Sequence, residues 1–599
     1  MSPGVNQAER SAPMIQAGGM RTHYCGEVSE QELGKEVTLC GWVNRVRDHG
    51  EHLSFLDLRD HTGTLQIVTE RNSDLKGEFV VRATGTVTKR PPGTENSQLS
   101  TGSVELTNAT IEILSRAAPL PFSIDERNDV EEITRLRYRY LDIRRDKMQH
   151  NLRTRARVNA AIRASMESQG FCEVETPMLW TPTPEGAREF LVPSRLQPGS
   201  FYVLPQSPQI AKQLLMVGGF DRYYQLARCM RDEDLRADRQ FEFTQLDLEA
   251  SFVTQDDILG FITNTMIEVV KTTRGIDLDT FQKMTWFEAM DSYGVDKPDL
   301  RFGSKLVDLG PILGDSGIRA FDAPCIKGIK APVSQPLTRS RLDSLVERAK
   351  SLGAKGLAWF RVVESESGAI LESPLAKFLS SEQSDQLIEA LGLGVGDLAL
   401  LVADQWHNAV SVLGQIRLDL GRVGLDHSEL KFLWIVDFPL FDGIDQDGRP
   451  ISAHHPFTMP NLDDFDLIDS DPLLVRSQSY DLVLNGWELG SGSIRIHRRD
   501  VQAKIFDVIG ISHQEAASRF GFLLDAFQYG APPHGGFAFG IDRLAAIMAG
   551  EENIREVIAF PKTQSGHDPM TNAPKPVAKE VLDLVGLMVK PTPPKAGAD

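Results

Sequence analysis

Residues 228–247 read Arg-Cys-Met-Arg-Asp-Glu-Asp-Leu-Arg-Ala-Asp-Arg-Gln-Phe-Glu-Phe-Thr-Gln-Leu-Asp. Charge is concentrated between Arg231 and Arg239, where Asp232, Glu233, Asp234, Arg236 and Asp238 stand close together. Phe241, Phe243, Leu246 and Leu248 then form an apolar row interleaved with Glu242, Gln245 and Asp247. That pattern predicts a strand, a charged loop and a returning strand. Cations and carboxylates gathered in one loop suit a triphosphate with its metal ions. A solvated hairpin is the plain alternative for such a charge run.

Outward from this stretch, the chain has 599 residues, enough for roughly three to five domains. Hydrophobic content of 41% supports real cores. The 83 acidic against 64 basic residues give a net charge of −19, which disfavours indiscriminate nucleic-acid binding but permits a local basic face. The five cysteines form no CxxC pair, so neither a zinc knuckle nor a disulfide framework is expected. No apolar run approaches the roughly 18–20 residues that span a bilayer, and a cytoplasmic protein without membrane contact is expected. Residues 1–19 read as a disordered extension rather than a secretory signal.

Between 37 and 115, five strand-like runs separated by Asp/His/Gly and Pro-Pro-Gly turns predict a small oligonucleotide-binding barrel. Arg45, Arg47, Phe55, Arg59 and Gln66 interleave cations with an aromatic residue, as single-stranded nucleic acid requires. Pattern alone leaves Phe55 equally assignable to the core. An Arg-rich hinge follows at 123–155. Alternating strands and helices over 156–302 and 431–565 then flank a segment, 303–430, with its own alternation and few catalytic candidates.

Further along, Asp481 and Glu488 fall in one strand-to-loop unit suited to a hard cation. Arg495 follows a Gly-Ser turn and can grip a carboxylate in fork geometry. Gly535–Gly540 runs into a helix with Arg543 in its first turn, a natural phosphate site. Walker-type and dinucleotide glycine motifs are absent from the sequence, so nucleotide binding would be arginine-based. Lys212 begins a helical pattern, where a lysine is more often a surface residue.

Three blocks resemble the class II aminoacyl-tRNA synthetase motifs: Thr176-Pro177, Arg231-Asp-Glu through Phe243-Thr-Gln, and Gly540-Ile-Asp-Arg543. Tyr138-Arg-Tyr-Leu-Asp, Thr183-Pro-Glu-Gly-Ala-Arg, Gln206-Ser-Pro-Gln and His454-His-Pro-Phe-Thr narrow the resemblance to bacterial-type aspartyl-tRNA synthetases, over about residues 21–590.

That resemblance implies an α+β multidomain chain. Its parts would be an OB-fold anticodon-binding barrel (20–122), a hinge, an antiparallel-sheet catalytic domain in two parts, an inserted α/β domain and a C-terminal extension (566–599). It implies a homodimer that uses ATP and Mg²⁺ to attach L-aspartate to tRNA(Asp), and to tRNA(Asn) as well if non-discriminating. The alternatives are an enzyme confined to tRNA(Asp) and, more remotely, an inactive RNA-binding paralogue.

Residue by residue, it implies Arg231 and Arg543 as catalytic cations. ATP would be held by Arg231, Asp232, Glu233, Gln240, Glu488, Gly540, Ile541, Asp542 and Arg543. Aspartate would be held by Glu185, Gln209, Lys212, Arg231, Asp247, His454 and Arg495, and the metal by Asp481 and Glu488. His49, Phe55, Gln66 and Gly93 would meet the anticodon, with His49 and Gly93 matching the relaxed-specificity pattern. Phe241 departs from the family, which usually has Pro there.

Overall fold

In the computed structural model, residues 18–125, 129–182, 187–333, 337–366, 368–426 and 428–590 are described. The expected N-terminal extension and Glu185 lie outside the described residues, the former but for its last two positions. The chain divides into two compact units, 1–149 and 150–599.

The first unit carries strands β1 (Glu36–His49), β2 (Leu53–Arg59), β3 (Thr64–Glu70), β4 (Val80–Lys89) and β5 (Val104–Ser115), closed as a barrel in the order β1-β2-β3-β5-β4. Closure follows from alternation: Val37, Leu39, Leu56, Leu58, Leu65, Ile67, Val81 and Ala83 point inward at every second position. β3 and β5 meet in parallel at Ile67 and Leu106, which seals the sheet without an exposed edge.

In the second unit the strands are β6 (Cys172–Glu173), β7 (Leu191–Pro193), β8 (Phe201–Val203), β9 (Arg222–Met230), β10 (Glu242–Ser251) and β11 (Gln282–Thr285). There follow β12 (Val307–Asp308), β13 (Cys325–Lys330), β14 (Ala358–Ser365), β15 (Gly368–Glu372) and β16 (Leu398–Asp404). The last six are β17 (Phe432–Val436), β18 (Phe441–Ile444), β19 (Pro450–Ser452), β20 (Ser479–Leu484), β21 (Trp487–Ile494) and β22 (His534–Gly540).

An eight-stranded sheet runs β11-β17-β20-β21-β22-β10-β9-β6, antiparallel except at its two ends. Its centre joins distant sequence: β10 pairs with β22 from Gln245↔Gly540 to Ser251↔His534. Leu246 and Leu248 share a core with Val158, Ile162 and Met166 of helix Asp146–Ser168 and Ile258, Ile262 and Met266 of helix Gln255–Arg274. The second helix starts at a Thr254/Asp257 capping box and stops at left-handed Gly275. Period-two alternation sends Asp247 and Glu249 to the opposite face, and that face forms the floor of a cleft.

A five-stranded sheet, β12-β13-β16-β14-β15, occupies 307–404 with a core on each side. Leu400 and Val402 of β16 point into one core, and Ala399 and Leu401 join Phe360 in the other. Its returning helix, Trp406–Gly421, carries buried Arg417, which donates to the carbonyls of Asp299, Phe302, Gly303 and Ser304. Tyr293 and Phe302 face that guanidinium at 4.9 and 4.2 Å, so the segment entering the insertion is pinned to the helix leaving it. Among the described residues no helix is long and apolar enough to cross a membrane.

Candidate active site

A cleft of about 900 Å³ opens on the polar face of β10, β21 and β22. Gln209, Lys212, Arg231, Glu233, Gln240, Asp247, His454, Glu488, Arg495, Gly540, Asp542 and Arg543 all line it. Gln209 and Arg543, 334 positions apart in sequence, thus meet in one space.

The deep end is an ionic cluster. Lys212, from helix Gln209–Val217, pairs with Asp247 and lies 3.2 Å from Glu249. Arg495 presents one edge to Glu249, with Nε to Oε1 at 2.9 Å and Nη2 to Oε2 at 3.3 Å. Lys212, Asp247, Glu249 and Arg495 are each no more than 3% exposed. Burial would raise both carboxyls. At Glu249, Arg495 and Lys212 outweigh it and hold the group low; at Asp247, burial prevails over Lys212 and lifts it.

Sequence reasoning missed Glu249. Its place also explains a glycine: a Cβ on Gly536 of β22 would stand 1.8 Å from the Glu249 carboxylate. Arg495's other edge turns to the cleft, with Nη1 donating to Ser493 Oγ at 2.7 Å and contacting His455 Nε2 at 2.7 Å, and Nη2 donating to Gln209 Oε1 at 3.3 Å. Arginine only donates, so His455 accepts through Nε2. Burial and the Arg495 charge push His455 well below its ordinary value and keep it neutral. His454, the histidine singled out from sequence, instead meets Ser479 Oγ at 2.9 Å.

The shallow end is held more loosely. Among the described residues Arg231 has no carboxylate partner, and its guanidinium lies 5.0 Å from the Phe243 ring centre. Glu233 pairs with Arg239 at 3.0 Å. Arg543 donates to the Glu488 carbonyl and to Asp238 at 3.1 Å. Gln240 is buried and accepts from the Lys562 N–H at 2.9 Å. Asp542 is engaged elsewhere: it pairs with Arg155 and accepts the Thr244 N–H at 2.8 Å, tying β10, helix Ile541–Ala549 and helix Asp146–Ser168 together. Ile541 lies in the core, and Asp232 sits off the cleft, its N–H donating to the Arg188 carbonyl at 3.0 Å.

Asp481 on β20 and Glu488 on β21 stand on adjacent strands. Burial, then the negative charges of Glu488 and Asp296, push Asp481 well above the usual carboxylate range. A divalent cation would relieve that repulsion, so the donor set fits one. No group of three or more acidic, His or Cys side chains is poised to cage a metal among the described residues, so phosphate or water oxygens would complete the shell. The Lys297 ammonium lies 3.7 Å from the Glu488 carboxylate.

On the barrel, Phe55 is half-buried and outside the core, its ring edge-on to His49 with centroids 6.1 Å apart. Gln66 accepts from Arg47 at 3.1 Å and donates to Glu105 at 2.8 Å. Gly93 adopts φ +85° in the turn closed by Thr94 N–H to Pro91 O, a conformation that strains any larger residue.

A family profile described as tRNA synthetases class II (D, K and N) matches residues 131–564. A second, described as OB-fold nucleic acid binding domain, matches 37–114. The chain is 48% identical to an aspartate–tRNA(Asp/Asn) ligase of Caldanaerobacter subterraneus subsp. tengcongensis, over 95% of this chain and 98% of that one. It is 49% identical to the protein of the same name from Moorella thermoacetica, over 95% and 97%, and 48% identical to an aspartate–tRNA ligase of Geobacillus kaustophilus, over 95% and 99%. In fold it is similar to a putative aspartyl-tRNA synthetase of Leishmania major, with TM-score 0.56 and 21% identity over 92% of this chain and 96% of that one.

Proposed function

We propose, from the premise that this chain belongs to the class II tRNA synthetases of the D, K and N group, that it activates L-aspartate with ATP and transfers it to tRNA. The observation that carries the reading is the buried cluster of Lys212, Asp247, Glu249 and Arg495. Its cations already have partners, so an incoming carboxylate meets donors held in place rather than free charges. Lys and Arg offer only donors, and so does the amide –NH₂ of asparagine. Asparagine would set donor against donor in a dry site, and polar mismatches of that kind discriminate by about 10⁴ or more.

Adenylation then needs positioning rather than a general base. An α-carboxylate oxygen of aspartate attacks the α-phosphorus of ATP. The bond to the β-phosphate breaks, and pyrophosphate leaves. Arg231 would neutralise the α-phosphate and steady the carboxyl end, while Arg543 would hold the γ-phosphate. Glu233 and Gln240 would seat ATP, and Gln209, Asp247 and His454 would complete the amino-acid seat. Asp481 and Glu488 would hold Mg²⁺, which supplies charge neutralisation of the phosphates when bound. A ribose hydroxyl at the tRNA end then attacks the adenylate carbonyl and AMP leaves.

His49 and Gly93 support charging of both tRNA(Asp) and tRNA(Asn), with Phe55 and Gln66 on the anticodon side and a homodimer as the working form. ATP–pyrophosphate exchange with aspartate, asparagine and lysine tests activation; exchange driven by asparagine or lysine, or by none, overturns it. Aspartylation of tRNA(Asp) but not tRNA(Asn) transcripts overturns the relaxed tRNA choice alone.

A further inference from the structure

Phe241 interrupts the family pattern at the return of the charged hairpin, and its surroundings show what the ring does. Its edge meets the Phe190 ring, with centroids 5.5 Å apart and planes at 80°. Its other neighbour is Gly566, at φ +76° in a turn where Gly566 N–H donates to Thr563 O. A Cβ on Gly566 would stand 2.6 Å from a Phe241 ring carbon, closer than any packed Cβ comes. The C-terminal turn therefore approaches the ring as only a glycine permits.

The atoms on either side of the ring belong to the cleft. The Phe241 carbonyl accepts the Arg231 N–H at 2.8 Å, which fixes the backbone of that cation. Gln240, one residue before, is held by the Lys562 N–H, and Glu242, one residue after, lies 3.6 Å from the Lys562 ammonium. Segment 187–190 is tied to the hairpin by Asp232 N–H to Arg188 O at 3.0 Å. A single ring thus sits where the hairpin, that segment and the C-terminal strap converge.

We propose that Phe241 and Gly566 form a matched pair of positioning residues: the ring, seated on the glycine, sets where Arg231 and Gln240 present themselves to ATP. This rests on the reading of the cleft as an aspartate-activating site.

A double-mutant cycle on the full chain tests it, read by KM for ATP and KM for aspartate in pyrophosphate exchange. Gly566→Ala pushes on the ring and is expected to raise KM for ATP on the order of tenfold. KM for aspartate should move less, because Lys212 and Arg495 sit on other elements and Glu249 lies near the far end of β10, so that only the Arg231 contact to the carboxyl end is shared. Phe241→Leu opens space beside residue 566. F241L/G566A should return KM for ATP to within about twofold of F241L alone, a strong coupling between the sites.

The left-handed backbone penalty at 566 is present with either residue at 241 and cancels in the cycle. Multiplicative effects, or an unchanged KM for ATP in Gly566→Ala, overturn the pair. If Gly566→Ala does not fold, recovery of folded, ATP-binding F241L/G566A supports the pair, and its failure to fold overturns it. Absence of aspartate-dependent exchange in the parent protein defeats the functional reading instead, and ATP binding by equilibrium dialysis still judges the pair.

Discussion

The two ends of the cleft are built on opposite terms. At the deep end, four charges are buried and paired with one another before any ligand arrives. At the shallow end, Arg231 has no carboxylate partner among the described residues, and Arg543 and Arg239 share theirs with solvent. The deep end holds its geometry by ion pairs that water cannot screen, which suits recognition of one small side chain. The shallow end keeps cations available for a polyanion that brings its own charge.

Breaking the deep end should have the largest effect. Arg495→Leu leaves Glu249 buried beside Lys212 alone. Aspartate-driven exchange should fall by about 10⁴ or more, and stability by about 3–5 kcal/mol in urea unfolding. A stable, near-normal enzyme would show that the cluster is ornamental to recognition. At the shallow end, Arg543→Ala should reduce exchange by about 10²–10³. Its thermal midpoint should stay within about 2 °C of the parent, and a larger drop would mean that both ends are structural. Glu233→Gln, which removes the Arg239 ion pair and weakens the proposed ATP seat, should raise KM for ATP by about two- to fivefold without touching KM for aspartate.

The smallest effect sharpens the comparison by pH. His455 has a folded pKa depressed below its ordinary 6.5 by burial and Arg495. Its contribution is therefore complete above that value and is lost as pH falls toward the depressed one, at up to about 1.4 kcal/mol per pH unit. Glu249, also held low, contributes with the same sign at more acid pH. Between pH 7 and 5 the parent should lose more stability than His455→Gln, measured by thermal unfolding at each pH. Equal slopes would remove His455 from the deep end's electrostatics.

Much of this was legible in the chain. The five barrel strands announced themselves by alternation and turns, and the hairpin by its charged loop between apolar rows. Lys212 was legible only through the family resemblance: by pattern alone a lysine in an amphipathic helix reads as solvent-facing, and only assembly of β10 opposite it reveals 1% exposure. Glu249 was hidden for a related reason. Alternation in Leu246-Asp247-Leu248-Glu249 separates two faces but does not say whether the polar one meets water or a lined cleft. His455 could not be preferred to His454 from adjacency alone, because the choice depends on the position of Arg495, forty residues later.

The pairing of β10 with β22 also sets a timetable. Ser251 and His534 are about 280 residues apart, and at roughly 5–20 residues per second their strands emerge some 15–60 s apart during synthesis. Throughout that interval the hydrogen-bonding edge of β10 that β22 will cover stays vacant, an invitation to stray strand pairing. The five-stranded sheet at 307–404, made entirely from local sequence, can fold within the same wait. The nascent chain therefore passes through a stage in which the insertion is complete and the catalytic sheet is still open along its middle.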